Sequence, residues 1–179
     1  MTATTTNPTE NKSQSPDPIP IVFFGYKRFV AIKFMPPLFE GTPYLMTSSV
    51  DQVSSREEFR YTPHNLGVVL ETLHPRPRAL IIGIAIDPSF CEEMREVWES
   101  YVENVLNVED RDGYMASGKR TGWEGKSCFV PLPYTHFVDP TKNMRPPANF
   151  GWEEEMFRQL DGVFRPERVG RGEHNVVPE

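Results

Sequence analysis

The sequence from residue 79 to residue 86 is Ala-Leu-Ile-Ile-Gly-Ile-Ala-Ile, an uninterrupted apolar run. Pro75 and Pro77 lie before it and Asp87-Pro88 follows it, so residues that interrupt regular structure bound the run at both ends. Such a run is typical of a strand in a parallel sheet, because helices cover both faces of that kind of sheet. We therefore predict a central strand over residues 79–86.

A helix is predicted on each side of this strand. Upstream, Thr62-Pro63 supplies an N-cap and a proline at the first helical position. The apolar residues that follow at helical spacing are Leu66, Val69, Leu70 and Leu73. Downstream, Asp87-Pro88-Ser89 repeats this start signal. The apolar stripe of this second helix consists of Phe90, Met94, Val97, Trp98, Tyr101, Val102 and Val105.

Three further apolar runs are predicted to be strands, at residues 19–24, 44–48 and 127–132. The last run contains Pro131, which favours the edge of the sheet or the end of the strand, because proline cannot donate to the ladder.

Two further helices complete the pattern. Residues 26–34 show helical spacing, which Pro36-Pro37 is expected to stop. A last helix is predicted from about residue 151 to residue 164, with Asn149 as its cap.

Strands and helices thus alternate along the chain, beginning with a strand. This order is typical of parallel strands joined by right-handed crossovers, with helices on both faces. The predicted fold class is α/β, a three-layer flavodoxin-like or minimal Rossmann-like parallel sheet of four to five strands. In such sheets ligands bind beyond the carboxyl ends of the strands, near the point where the strand order reverses.

The length of 179 residues fits one domain of ordinary size. Residues 1–18 are polar and are predicted to be a disordered tail, and residues 165–179 a flexible one. The single α/β domain then spans residues 19–164. Within it, residues 107–126 are charged and glycine-rich and are predicted to form a long mobile loop, either a lid or a contact for an acidic partner.

The formal charge of −6 argues against a nucleic-acid-binding protein, which usually carries a strongly basic domain. Acidic residues concentrate between Asp87 and Asp110, where Arg95 is the only base. This acidic run is either the solvated face of a helix or a docking surface for a basic protein partner.

Only two cysteines occur, Cys91 and Cys128, and their spacing gives neither a disulfide framework nor a metal or redox motif. Cys91 lies in the first turn of a helix, a location that lowers a thiol pKa, although Glu92 and Glu93 oppose this effect. No apolar leader and no run long enough to cross a membrane is present in the sequence. We expect a soluble, cytoplasmic protein with no membrane contact.

Common cofactor motifs are incomplete. The first strand is followed by Phe24-Gly25-Tyr26-Lys27-Arg28, with one glycine where a dinucleotide fold needs several. Gly125-Lys126-Ser127 lacks the first glycine of a phosphate loop, because Arg120 stands there. The histidines have no metal-ligand spacing. We therefore predict no metal and no cofactor.

The candidate site residues all follow predicted strands. Asp87 and His136 are candidates for catalysis as an acid and base pair, although an aspartate before proline is also the expected helix cap. Lys27 and Arg28 are either anion ligands or solvated charges. The predicted ligand-binding residues are Gly25, Lys27, Arg28, Asp51 and Tyr134.

The layout resembles that of known families. Asn65–Leu70 in a helix, a proline-rich break and then Arg78–Gly83 resemble small fungal Rossmann-like or flavodoxin-like proteins of unknown function. The receiver domain of response regulators is similar as well. Its acceptor aspartate would fall near Gly83, its acidic pair near Phe24-Gly25 and its lysine near Pro133-Tyr134, and none of these groups is present. The resemblance therefore implies the fold but no aspartyl-phosphate signalling.

Three functions are compatible with these features. The first is an auxiliary α/β protein that binds a small molecule, as an accessory to a fungal small-molecule (secondary metabolite) pathway that the resemblance implies. The second is a small isomerase, dehydratase or lyase that uses Asp87 and His136 without a cofactor. The third is a protein-interaction module with a receiver-like fold.

Overall fold

Four parallel strands form one sheet in the order β2-β1-β3-β4. The computed structural model describes residues 17–53, 60–112, 121–133 and 151–169. The strands are β1 (Ile19–Gly25), β2 (Tyr44–Asp51), β3 (Ala79–Ile82) and β4 (Cys128–Pro131). This arrangement confirms the predicted parallel α/β sheet, and its order is that of the first four strands of a flavodoxin-like sheet.

Six α-helices and one π-helical segment accompany these strands in the described ranges. The helices are α1 (Arg28–Phe39), α2 (Pro63–Thr72), α3 (Pro88–Tyr101), α4 (Asn107–Asp112), α5 (Trp152–Phe164) and α6 (Pro166–Val169). The π-helical segment Val102–Leu106 joins α3 to α4 without a break.

The two central strands are buried on both faces, as their apolar sequences predicted. Every residue of β1 and of β3 is buried. Ile21, Phe23 and Ile81 face the layer of α1 and α5, whereas Phe24 and Leu80 face the layer of α2 and α3. The sheet therefore separates two apolar cores, one under each pair of helices.

The predicted strand at 79–86 is wrong in length, because β3 ends at Ile82. The Gly83 N–H donates to the Phe24 carbonyl at 2.8 Å, and the Ile86 N–H then donates to the Gly83 carbonyl at 3.1 Å. The chain therefore turns here, yet Ile84 and Ile86 remain buried. Burial of this turn accounts for the apolar residues that mimic a longer strand.

The predicted end of the first helix is also wrong, since α1 continues through Pro36 and Pro37 to Phe39. Both prolines are exposed, whereas Leu38 and Phe39 are buried against the sheet. Each proline removes one helical N–H. Burial of the two apolar side chains offsets that loss and keeps the last turn helical.

The predicted loop 107–126 is partly helix. Residues 107–112 form α4, and Trp123 is buried, its Nε1–H donating to the Asp17 carbonyl at 2.8 Å. Residues 113–120 lie outside the described part of the chain. α6, at residues 166–169, likewise lies in a segment predicted to be a flexible tail. The remaining tail residues, 1–16 and 170–179, and the cap Asn149 lie outside the described ranges.

A buried ion pair at the amino edge of the sheet explains why α4 is ordered. Arg78, which precedes β3, donates from Nη1 and Nη2 to the two carboxylate oxygens of Asp110, both at 2.6 Å. The Gly125 N–H donates to Asp110 at 2.7 Å. Arg76 pairs with Glu109 next to it. Glu109 and Asp110 therefore hold α4 against the start of β3.

The pKa of Asp110 is set by opposing effects. Burial alone would raise it, but the hydrogen bonds from Arg78 and from the Gly125 N–H hold the pKa below its usual range. Because the folded pKa lies below the unfolded one, the ionised pair stabilises the fold above the ordinary carboxyl pKa. That stabilisation is lost as the pH falls through the folded pKa.

We predict that Asp110→Asn lowers the free energy of unfolding by about 3 kcal/mol at neutral pH, because it leaves the Arg78 guanidinium buried without its anion. The difference from wild type should begin to shrink below about pH 4, where the carboxyl of the unfolded wild-type chain takes up a proton while the folded one is still ionised. Urea unfolding between pH 3 and pH 7 measures both effects. Asp112→Asn, at an exposed acid of the same turn, is the control. Equal losses of unfolding free energy in Asp110→Asn and Asp112→Asn would contradict a stabilising ion pair between Asp110 and Arg78.

Candidate functional site

The strand order reverses between β1 and β3, so the turns that follow these two strands flank the expected site. β1 leads to β2 on one side, and the chain later returns past β1 to β3 on the other side. The turn after β1 contains Tyr26 and Lys27, and the turn after β3 contains residues 83–87. This carboxyl edge is where ligands bind in sheets of this class.

The ring of Phe23 lies against glycines in both turns. A Cβ atom on Gly25 would lie 3.0 Å from Phe23 Cε1, and one on Gly83 would lie 3.1 Å from Phe23 Cζ. Neither glycine has a positive φ. The close approach of Phe23 therefore explains why glycine stands at both positions, and Gly25 is buried rather than open to a phosphate group.

Asp51 lies at the end of β2 and caps α1. Its side chain is only 3% exposed, and Oδ2 accepts a hydrogen bond from the Arg28 N–H at 2.6 Å. Lys27, the residue that precedes the helix, makes no side-chain cap bond of its own. A carboxylate is favourable at a helix N-terminus. Asp51 thus occupies the position that a ligand phosphate takes in dinucleotide folds.

Backbone hydrogen bonds hold the surrounding segments to Asp51. Its carbonyl accepts from the Tyr61 N–H at 2.7 Å, and Arg60 forms a parallel bridge with Asp51. On the other side, the Gln52 N–H donates to the Gly25 carbonyl at 3.1 Å. Asp51 therefore lies where β1, β2 and α1 meet, and the ligand-binding role predicted for Asp51, Lys27 and Arg28 stays a prediction.

The junction is basic. Lys27 and Arg28 at the start of α1 and Arg60, whose backbone pairs with Asp51, are three bases in segments that meet at one acid, a net charge of +2 for these four described residues. The whole chain carries −6. A local excess of positive charge in an acidic protein attracts small anions.

Asp87 caps α3, the structural alternative that the sequence allowed. Its Oδ1 accepts from the Ser89 N–H at 2.8 Å and from the Ser89 hydroxyl at 2.7 Å. Asp87 is exposed. His136 and Tyr134 lie outside the described residues, so the pairing of Asp87 with His136 stays a prediction, as does the role of Tyr134.

Tyr61 and Glu93 form a hydrogen bond near this edge that the sequence did not predict. The Tyr61 hydroxyl donates to Glu93 Oε1 at 2.6 Å, and its ring packs edge-on against Phe24 and Phe90. Burial, followed by the Glu93 carboxylate, raises the phenol pKa, so Tyr61 remains a neutral donor. In the sequence, only the place of Tyr61 pointed to this contact. It is an aromatic residue directly before the cap Thr62, which is the position of a hydrophobic staple.

The thiol of Cys91 is not activated. It is half-buried in the first turn of α3, and burial is the main cause that raises its pKa, with Arg95 opposing. A raised pKa keeps the group as a thiol at neutral pH, whereas a nucleophile needs the thiolate.

Among the described residues, no group of three or more histidine, cysteine, aspartate or glutamate side chains lies close enough together to hold a metal ion. No described helix combines the length and the apolar character that crossing a membrane requires.

Comparison with models of protein families gave no match, and comparison with curated proteins and with solved structures gave none either.

We predict that Asp51→Ala lowers the free energy of unfolding by about 1–2 kcal/mol, the usual cost of removing a helix cap. Asp51→Asn keeps an acceptor for the Arg28 N–H and should cost less than half as much. Urea unfolding at neutral pH compares the two variants. If they lose the same free energy, the charge of Asp51 rather than its hydrogen bond is what stabilises the junction.

Proposed function

We propose that this chain is an auxiliary α/β protein that binds a small organic anion at the carboxyl edge of its sheet. The observation that carries the proposal is the basic junction, in which the segments of Lys27, Arg28 and Arg60 meet at the buried Asp51 through backbone hydrogen bonds. The ligand class is a small molecule with a carboxylate or a phosphate monoester, because arginine and lysine are the usual partners of these groups.

Because Asp51 caps α1, fewer groups of the protein can bind such an anion. Because Asp51 accepts the Arg28 N–H, a ligand at this junction relies on basic side chains rather than on the helix N-terminus. The ring of Phe23 fills the space between the turns after β1 and β3. We therefore propose a ligand near the outer side of the junction, next to Arg60.

The role that we propose is auxiliary. Asp87 caps α3 and burial raises the pKa of Cys91, and both observations favour binding over catalysis among the described residues. The layout resemblance to small fungal proteins supports an accessory place in a small-molecule pathway. The two thiols suit a reducing compartment, and we propose the cytoplasm.

The proposal predicts that a panel of small carboxylates and phosphate monoesters contains a binder, detected by a rise in melting temperature and quantified by calorimetry. The double variant Lys27→Ala with Arg60→Ala should weaken that binding about tenfold or more, which corresponds to about 1.4 kcal/mol. Raising the ionic strength should weaken it further, because Arg60 is exposed and salt screens exposed charges.

The control is a second double variant that removes the same charge elsewhere, Lys33→Ala with Arg158→Ala, both at exposed helix positions. It should bind within twofold of wild type. Equal weakening in the two double variants would show nonspecific attraction to net charge. A panel without any binder would refute the proposal.

A further inference from the structure

The outer edge of β2 is long and uncharged. β2 has eight residues, and the seven from Tyr44 to Val50 carry no ionisable group that is charged at neutral pH. Within the described ranges, only Arg60 pairs with this edge, and it does so at the last residue, Asp51. Proteins usually protect an edge strand with lysine, proline or shortness, because its backbone can pair with another strand.

An exposed apolar stripe lies on α1 next to this edge. Phe29 is 60% exposed and Ile32 is 48% exposed, and the exposed Pro36 continues the stripe one turn further. The opposite face of α1 is buried on the sheet, through Ala31 and Met35 among others.

The handedness of the fold fixes the side on which the stripe lies. The crossover from β1 through α1 to β2 is right-handed, and α1 runs antiparallel to the strands. Each residue of a right-handed helix is rotated by about 100° from the one before. With Ala31 and Met35 toward the sheet, Ile32 and Pro36 then face the outer edge of β2 and not α5. The stripe and the edge thus form one surface.

We propose that this surface binds a second copy of the same chain. The two β2 strands pair antiparallel about a twofold axis, which joins the two sheets, and the two α1 stripes pack against each other above the joint. An antiparallel pair of identical strands satisfies the open backbone groups of both copies, and a twofold interface of this kind needs a self-complementary surface without net charge. The uncharged β2 edge and the apolar stripe meet both conditions.

The size of the surface is sufficient for association. The seven residues from Tyr44 to Val50, at about 3.3 Å each, give an edge of roughly 23 Å. With the depth of one helix and one strand, roughly 20 Å, each copy contributes on the order of 500 Å². The two copies together bury on the order of 1,000 Å², the lower bound for a specific interface. A dimer with a micromolar dissociation constant is therefore expected.

Sedimentation equilibrium of the full chain from about 1 to about 200 µM, a range that brackets a micromolar dimer, tests the proposal. Wild type should approach twice the chain mass of 20.6 kDa. Ile32→Glu on the stripe and Leu45→Lys on the edge should each weaken association at least tenfold. The matched control is Val68→Glu, which places the same charge on the 45% exposed Val68 of α2 and should leave the dimer intact.

A second readout does not depend on the variants. Backbone amides of residues 44–50 that point away from β1 should exchange with solvent deuterium more slowly at high protein concentration than at low concentration, whereas amides of α2 should not change. A chain that stays monomeric at 200 µM, about the top of the tested range, would overturn the proposal. So would a dimer that Val68→Glu disrupts as strongly as Ile32→Glu, or one in which residues 44–50 show no concentration dependence.

Discussion

Burial of β1 on both faces is the constraint on which the rest of the structure depends. β1 pairs with β2 on one side and with β3 on the other, so its own hydrogen-bonding groups are satisfied only when both neighbours are in place. Its side chains alternate between the two cores, so each face also requires its own pair of helices. A single strand thereby couples all three layers, and neither core can form without the other.

At each end of the strands an acid with little solvent exposure holds a neighbouring segment against the sheet. The two acids do so through different interactions. At the amino edge, Asp110 is matched by a full positive charge on Arg78. At the carboxyl edge, Asp51 is matched by an N–H group at the start of α1. The ion pair loses its stabilising effect when either charge is removed, whereas the cap depends on the dipole of α1 and on one backbone N–H group.

Sequence reasoning predicted what depends on local pattern. The order of strands and helices, the caps Thr62 and Asp87, and the place of Pro131 at the end of β4 all follow from residues close in sequence. It failed where contacts between residues far apart in sequence determine the structure. The length of β3 depends on a turn held by Phe24, and the order of residues 107–112 depends on Arg78, which lies about thirty residues earlier. The sequence indicated Asp51 as a site residue because it follows a strand. It did not predict the contact with the distant Arg28 through which Asp51 caps α1.

The π-helical segment Val102–Leu106 has a consequence for how this chain can vary. A π turn holds about one residue more than an α turn, and one residue corresponds to about 100° of rotation. By absorbing one extra residue, the wide turn keeps Leu106 and Asp110 on the side on which Trp98 and Tyr101 are buried. Deleting one residue here would restore a regular α-helix and leave Asp110 facing Arg78, whereas the same deletion within α3 would rotate Asp110 away by about 100°. Loss of a residue is therefore tolerated in the π turn and not in the α-helical turns before it.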